Sequence, residues 1–237
     1  MGEQAGIAIL SQDGLMMLLR WLHFVFGIIW IGHLYYFNFT QGAFFAETDA
    51  TTKSNAIQKL LPRALWWFRW GAMWTFVTGW IYLMIRSHDG GLELFSSSYG
   101  VLILTGALLA SLMWFNVWFV IWPNQKIVIA STTQAAQGGQ ALPNAAAAGA
   151  RALTASRTNV LFSMPMLFFM GAASHLPISV LPESNFTAYW ISFGVIAAAL
   201  QYNAMKGKTG PLTSIKGVIH CGVALTVVLY AVVEFWL

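Results

Sequence analysis

The chain has 237 residues, 58% of them hydrophobic and 8% charged, with a mean hydropathy of +0.65. Soluble domains carry about a quarter charged residues, so a soluble enzyme is excluded and a polytopic membrane protein is expected. The net charge of +4 does not point to a nucleic-acid partner, because the basic residues fall between apolar stretches, as orientation signals do.

The expected fold class is all-α: one integral-membrane domain over 1–237, a transmembrane bundle of about six spans. They lie at about 14–39, 64–86, 99–122, 158–178, 187–205 and 214–236, near the ~20 residues that a bilayer crossing needs. Pro62, Pro123, Pro177, Pro182 and Pro211 stand at or near predicted ends, and Pro165 inside the fourth span predicts a kink. Met1–Gly6 shows no basic n-region and no cleavage site, so no signal peptide is read there. The single cysteine, Cys221, rules out an intrachain disulfide and a Cys-based cluster. Residues 131–156, rich in Ala, Gln and Gly, read as a low-complexity cytoplasmic loop, partly helical around Ala145–Ala155.

Basic residues set the expected orientation. Lys53, Lys59, Arg63, Lys126, Arg151, Arg157, Lys206, Lys208 and Lys216 fall on one side of the six-span scheme. The other side has Arg86, with Arg20 inside the first span. The positive-inside rule makes the first side cytoplasmic, so both termini are expected in the periplasm. The expected location is a bacterial inner membrane, crossed several times.

Ionisable residues inside spans are costly and are functional candidates. In the first span, His23 has Arg20 one turn before it and Gly27 one turn after it. A glycine beside a histidine leaves room for a flat group such as a haem. The alternative is a tight helix crossing with a hydrogen-bonded histidine. In the fourth span, His175 follows Gly171 by one turn, and the topology puts it at the depth of His23. Two such histidines could clamp one haem b iron as axial ligands, with Arg20 pairing a propionate or simply snorkelling. His33 and His220, with Gly217 and Ala224 near the latter, would form a second pair near the cytoplasmic side. The alternative there is two interfacial residues. Copper is the less favoured metal, since imidazole serves both. His88 reads as a solvated loop residue. Asn116, Trp118, Trp122, Asn124, Gln125, Lys126, Arg157, Asn159, Met164 and Met166 form a further polar and thioether set, its methionines read as core fillers. No phosphate loop, His-Glu-x-x-His or nucleophile elbow is present, and no catalytic residue is picked out.

Several of these stretches are similar to a known family. Arg20-Trp21-Leu22-His23 with Gly27 and Trp30-Ile31-Gly32 resembles the first span of the urate oxidase N-terminal domain family, the membrane part of bacterial urate hydroxylases. Trp66-Trp67-Phe68-Arg69-Trp70 with Trp74 and Thr78-Gly79 resembles its second span, and Asn116-Val117-Trp118 through Lys126 its third. Arg157-Thr158-Asn159, Ser163-Met164-Pro165-Met166 and Ser174-His175-Leu176-Pro177 resemble its fourth. The likeness covers roughly 14–178. A looser likeness of the first span extends to membrane protoporphyrinogen oxidase and copper-resistance families, where that histidine is tied to haem or metal. Two features depart from the pattern. No Cys-x-x-Cys-His follows the sixth span, where full-length members carry a cytochrome c domain. Gly71 stands where the family tends to have an acidic residue.

Three functions follow as expectations. The first is a b-type haem protein passing electrons from a membrane donor to a cytochrome c or respiratory complex on the periplasmic side. The second is oxidation of urate, or a related small molecule, by a urate hydroxylase-like enzyme. The third is a cofactor-free accessory subunit of a respiratory or oxygenase complex. The lipid bilayer is the common partner, homo- or hetero-oligomers are compatible with all three, and nucleic acid is not expected.

Overall fold

A computed structural model describes residues 7–237, so the reading of Met1–Gly6 lies outside the described residues. Six long helices carry the fold. Helix α1 is Gln12–Glu47. Helix α2 runs through three abutting segments, Ala50–Asn55, Ala56–Leu60 and Leu61–Gly90. Helix α3 is Ser98–Ala136, α4 is Ala145–His175, α5 is Phe186–Lys206 and α6 is Ile215–Trp236. No strand occurs among the described residues. Helices α1, α3 and α6 are long and apolar enough to cross a membrane.

The helices alternate in direction. At one end Gln12 donates to Asp89, the Ile178 N–H donates to Ser98, and the Asn185 N–H donates to the Trp236 carbonyl. That end holds both termini of the bundle. The opposite end carries the turns after α1, α3 and α5, and with them most of the basic residues.

The three apolar helices begin with one device. Ser11, Ser97 and Ser214 each accept the N–H of a glycine three residues on, Gly14, Gly100 and Gly217. A short 3-10 turn precedes each cap, and its carbonyl is folded onto the glycine. A Cβ on Gly100 would overlap the Leu94 oxygen, and one on Gly217 the Pro211 oxygen. Serine satisfies a free N–H of the first turn. Glycine lets the preceding chain cross the helix start.

Helices α1, α2 and α3 each contain a π-helical stretch, at Tyr36–Gln41, Ala56–Leu60 and Asn116–Ile121. All three lie toward the basic end. Such bulges rotate the helix face beyond them and are frequent at functional sites. They also carry α1 and α3 past the predicted spans, into Gly42–Glu47 and Trp122–Ala136. The low-complexity stretch is correspondingly helical up to Ala136 and again from Ala145, with turn and coil between. Alanine has the strongest helix propensity, so an Ala-rich stretch extends the neighbouring helices instead of looping.

Helix α4 is the centre of the bundle and packs on α1, α3, α5 and α6. Thr158, Asn159, Val160, Leu161, Phe162 and Ser163 are consecutive buried residues, so this helix is enclosed on every side. Close crossings use glycine. A Cβ on Gly71 would lie 3.0 Å from the Trp30 nitrogen, where α1 meets α2, and one on Gly106 would lie 3.3 Å from the Met166 oxygen, where α3 meets α4. Gly71 is therefore a backbone contact, and an acidic side chain there would separate α1 from α2.

Candidate functional site

The polar residues of α4 organise the interior. Asn159 donates to the Met113 carbonyl at 2.9 Å and accepts from Asn116 at 2.9 Å. Asn116 also donates to Gln201 at 3.0 Å and accepts from it at 2.7 Å. Three amides thus join α3, α4 and α5 in a buried network. One turn away, Ser156 accepts from Asn38 at 2.8 Å, and Ser163 bonds Tyr35 at 2.9 Å, which ties α4 to α1. Asn38 and Asn116 both lie in π segments. The bulges bring these amides inward. These bonds leave little amide capacity for a ligand.

Arg157 is different. Its residue is 8% exposed, and its Nε and Nη1 atoms are buried without a hydrogen-bond partner. A guanidinium in that condition is costly and is suited to an anion that would take its fork of donors. Arg69 is already engaged: it donates to the Leu65 carbonyl and stacks on Trp122, 3.6 Å from the ring centre, with Trp118 at 5.5 Å. Trp118, Trp122 and Lys126 from the predicted set join this aromatic clamp between α2 and α3, with Lys126 5.5 Å from the Trp122 ring. Asn124 returns its amide to the Val120 carbonyl. Met166 is buried core, and Met164 packs against Gly222 of α6.

The histidines divide. His23 faces α2. A Cβ on Gly79 would lie 2.9 Å from its Cε1, and Thr78 Oγ1 is 3.4 Å from its Nδ1. The Thr78 hydroxyl donates to the Trp74 carbonyl at 2.6 Å, so toward His23 its oxygen can only accept, from the tautomer that carries its proton on Nδ1. Room for this ring comes from Gly79. Gly27 instead turns toward Thr75, with 3.9 Å between an ideal Cβ and Cγ2. Arg20 is exposed and stacks on Tyr82 at 5.2 Å. His175 ends α4 as an exposed residue, and a Cβ on Gly171 would meet nothing within 4 Å. The Tyr35–Ser163 bond joins antiparallel helices. His23 precedes it by as many residues as His175 follows it, so both lie about 18 Å along the axis from that bond. They share a depth, but His23 is turned to α2 and the two are not in contact. His33 donates Nδ1–H to the Ile29 carbonyl at 2.7 Å and lines a groove between α1 and α2, while His220 is exposed on α6. Helix α1 packs mainly on α2, and α6 mainly on α4, so these two are not brought together. Among the described residues, no three His, Cys, Asp or Glu side chains converge as metal ligands.

The unpartnered guanidinium of Arg157 could not be foreseen from its place at a span end. The glycine facing His23 could not be foreseen either, since it comes from the neighbouring helix. The Asn116–Asn159 link had one signal in the sequence, polar amides within apolar spans.

No curated protein and no solved structure matches this chain. The family model described as urate oxidase N-terminal matches residues 90–233. That segment holds α3 to α5 and nearly all of α6, with the amide network, Arg157 and His175. The chain belongs to the urate oxidase N-terminal family.

Proposed function

We propose that this protein is a urate hydroxylase-like membrane oxidoreductase that oxidises urate or a closely related anion. The family match over 90–233 carries the reading. Arg157 supports it, because urate is an anion at neutral pH and this buried guanidinium lacks a partner. In this reading Arg157 holds the substrate anion through its Nε and Nη1 donors. The amide network of Asn116, Asn159 and Gln201 keeps α3, α4 and α5 in register around it. The chain crosses an inner membrane six times with both termini in the periplasm, in line with the basic residues gathered at the other end. The test is urate consumption by the purified chain with cytochrome c as acceptor. Activity is expected, and Arg157→Gln should lower kcat/KM by about tenfold or more, with Arg157→Lys retaining part of it and helicity unchanged. Absence of urate consumption by the wild type overturns the reading.

A second reading concerns the electrons, which leave for a cytochrome c or respiratory complex on the periplasmic side. His23 is the first candidate to hold haem b: with its proton on Nδ1 toward Thr78, its Nε2 would be free to ligate. His175, beside the open space at Gly171, would be the second ligand. Bound there, haem would accept and release single electrons. His23 and His175 would hold the iron, and the exposed Arg20 would pair a propionate. A reduced-minus-oxidised spectrum with a pyridine haemochrome assay tests it. Sharp b-type bands lost in His23→Ala and His175→Ala are expected. A flat wild-type spectrum overturns it, leaving copper, read by elemental analysis, or the accessory-subunit function.

A further inference from the structure

The groove between α1 and α2 is polar at one end and apolar along its length. Its volume is about 650 Å³. Tyr36 and Arg63 stand at the end nearer the basic turns, beside the apolar Leu60, with His33 one turn deeper. Ile28, Ile29 and Trp67 line the deeper part. Ile28 and Tyr36 are eight residues apart, so the polar and apolar ends are about 12 Å apart along the helix. Gly32 lies in the wall, and a Cβ there would meet nothing within 4 Å, so this glycine widens the groove and serves no helix contact.

The charge at the polar end is positive and unopposed. Arg63 is exposed and makes no ion pair among the described residues. Lys59 precedes it by one turn, also exposed. The nearest acids in sequence are Glu47 and Asp49, and Asp49 is occupied in accepting the Thr51 and Thr52 N–H groups. His33 lines the groove and donates its Nδ1–H to Ile29, so in the neutral ring its Nε2 is an acceptor.

We propose that this groove binds an anionic glycerophospholipid. Its phosphate sits on Arg63, a headgroup hydroxyl reaches His33 Nε2 or Tyr36, and one acyl chain runs over Gly32 along Ile28, Ile29 and Trp67. The charge selects the occupant, since a zwitterionic headgroup brings its own cation to Arg63 and a neutral apolar molecule leaves the guanidinium unmatched. The graded polarity along about 12 Å matches a headgroup joined to an acyl chain.

The experiment uses the full chain, delipidated in detergent and exposed to equal amounts of phosphatidylglycerol and phosphatidylcholine, with bound lipid read by native mass spectrometry. Retention of phosphatidylglycerol is expected to exceed that of phosphatidylcholine by about fivefold, the effect of one basic residue on an anionic lipid. Arg63→Gln, a change at an exposed position, should abolish the preference. Gly32→Leu should lower total bound lipid with circular dichroism unchanged. Equal retention of both lipids by the wild type overturns the proposal, as does a preference that survives Arg63→Gln. Displacement of the phospholipid by added ubiquinone, blocked by Gly32→Leu, also overturns it and makes the groove a quinone site.

Discussion

Gly222 of α6 rests against the Leu161 carbonyl of α4, with 3.5 Å between that oxygen and an ideal Cβ. Pro165 has no N–H to give that carbonyl, which stands four residues before it. The proline thus frees an acceptor within an unbroken helix, and the glycine lets α6 cover it by close approach. Met164 completes the contact, since its Cγ would lie 2.6 Å from the same Cβ. Gly222→Leu is expected to destabilise the protein by about 1–3 kcal/mol through overpacking. Thermal unfolding in detergent reads this. Met164→Ala should recover part of the loss in the double variant, and additive effects would deny the contact.

Glycines in the bundle fall into two kinds that mutate in opposite directions. Gly100 lies under the Leu94 carbonyl, and Gly100→Ala should cost about 1–3 kcal/mol, because only a backbone shift makes room. Gly194, inside α5, would place a Cβ within 4 Å of nothing. Gly194→Ala should stabilise by about 0.5–1 kcal/mol. Denaturation midpoints of the two variants should lie on opposite sides of the wild type. Two shifts of one sign would contradict the packing.

The amide network makes an asymmetric prediction. Asn159→Leu removes two bonds but leaves Asn116 and Gln201 bonded to each other. Asn116→Leu breaks three, leaving Gln201 without a partner and Asn159 with only its bond to the Met113 carbonyl. Hydrogen bonds between membrane helices contribute about 0.6–2 kcal/mol. The cost of Asn116→Leu should therefore exceed that of Asn159→Leu by about 1 kcal/mol in the same unfolding assay. Equal costs would show that the amides act independently.

Asp49 supplies a pH-dependent element outside the apolar core. The Thr52 hydroxyl and the Thr51 and Thr52 N–H groups hold its carboxyl below the usual carboxylate range, as a helix N-cap does. A depressed value in the fold means the capping contribution is complete above the ordinary carboxylate pKa and is lost as pH falls through the depressed one. Hydrogen exchange at the Thr51 and Thr52 amides should therefore quicken relative to intrinsic rates as the solution is acidified below pH ~4. Asp49→Asn keeps the cap and should remove that dependence. Protection that stays constant with pH in the wild type would exclude the effect.

Sequence alone determined the class and the places of the helices. Long apolar stretches with few charges have no stable state in water; each predicted span overlaps one of the six helices, and three of these are long and apolar enough to cross a membrane. The equal depth expected of His23 and His175 is a residue count at fixed rise along antiparallel helices, and it does not decide whether the two side chains meet. The Ser-x-x-Gly starts of α1, α3 and α6 were visible as residues, yet their meaning depends on the 3-10 turn that folds over each glycine. Tertiary structure decided which helix each face meets. It set His23 against Gly79 and Thr78 of α2 instead of against His175, and it left the Arg157 guanidinium buried without a partner. The π segments rotated Asn38 and Asn116 inward, which no regular periodicity would show. In lipid every face of an apolar helix can be accommodated, so hydropathy does not choose its neighbours. Close packing at glycines and hydrogen bonds between buried amides make that choice.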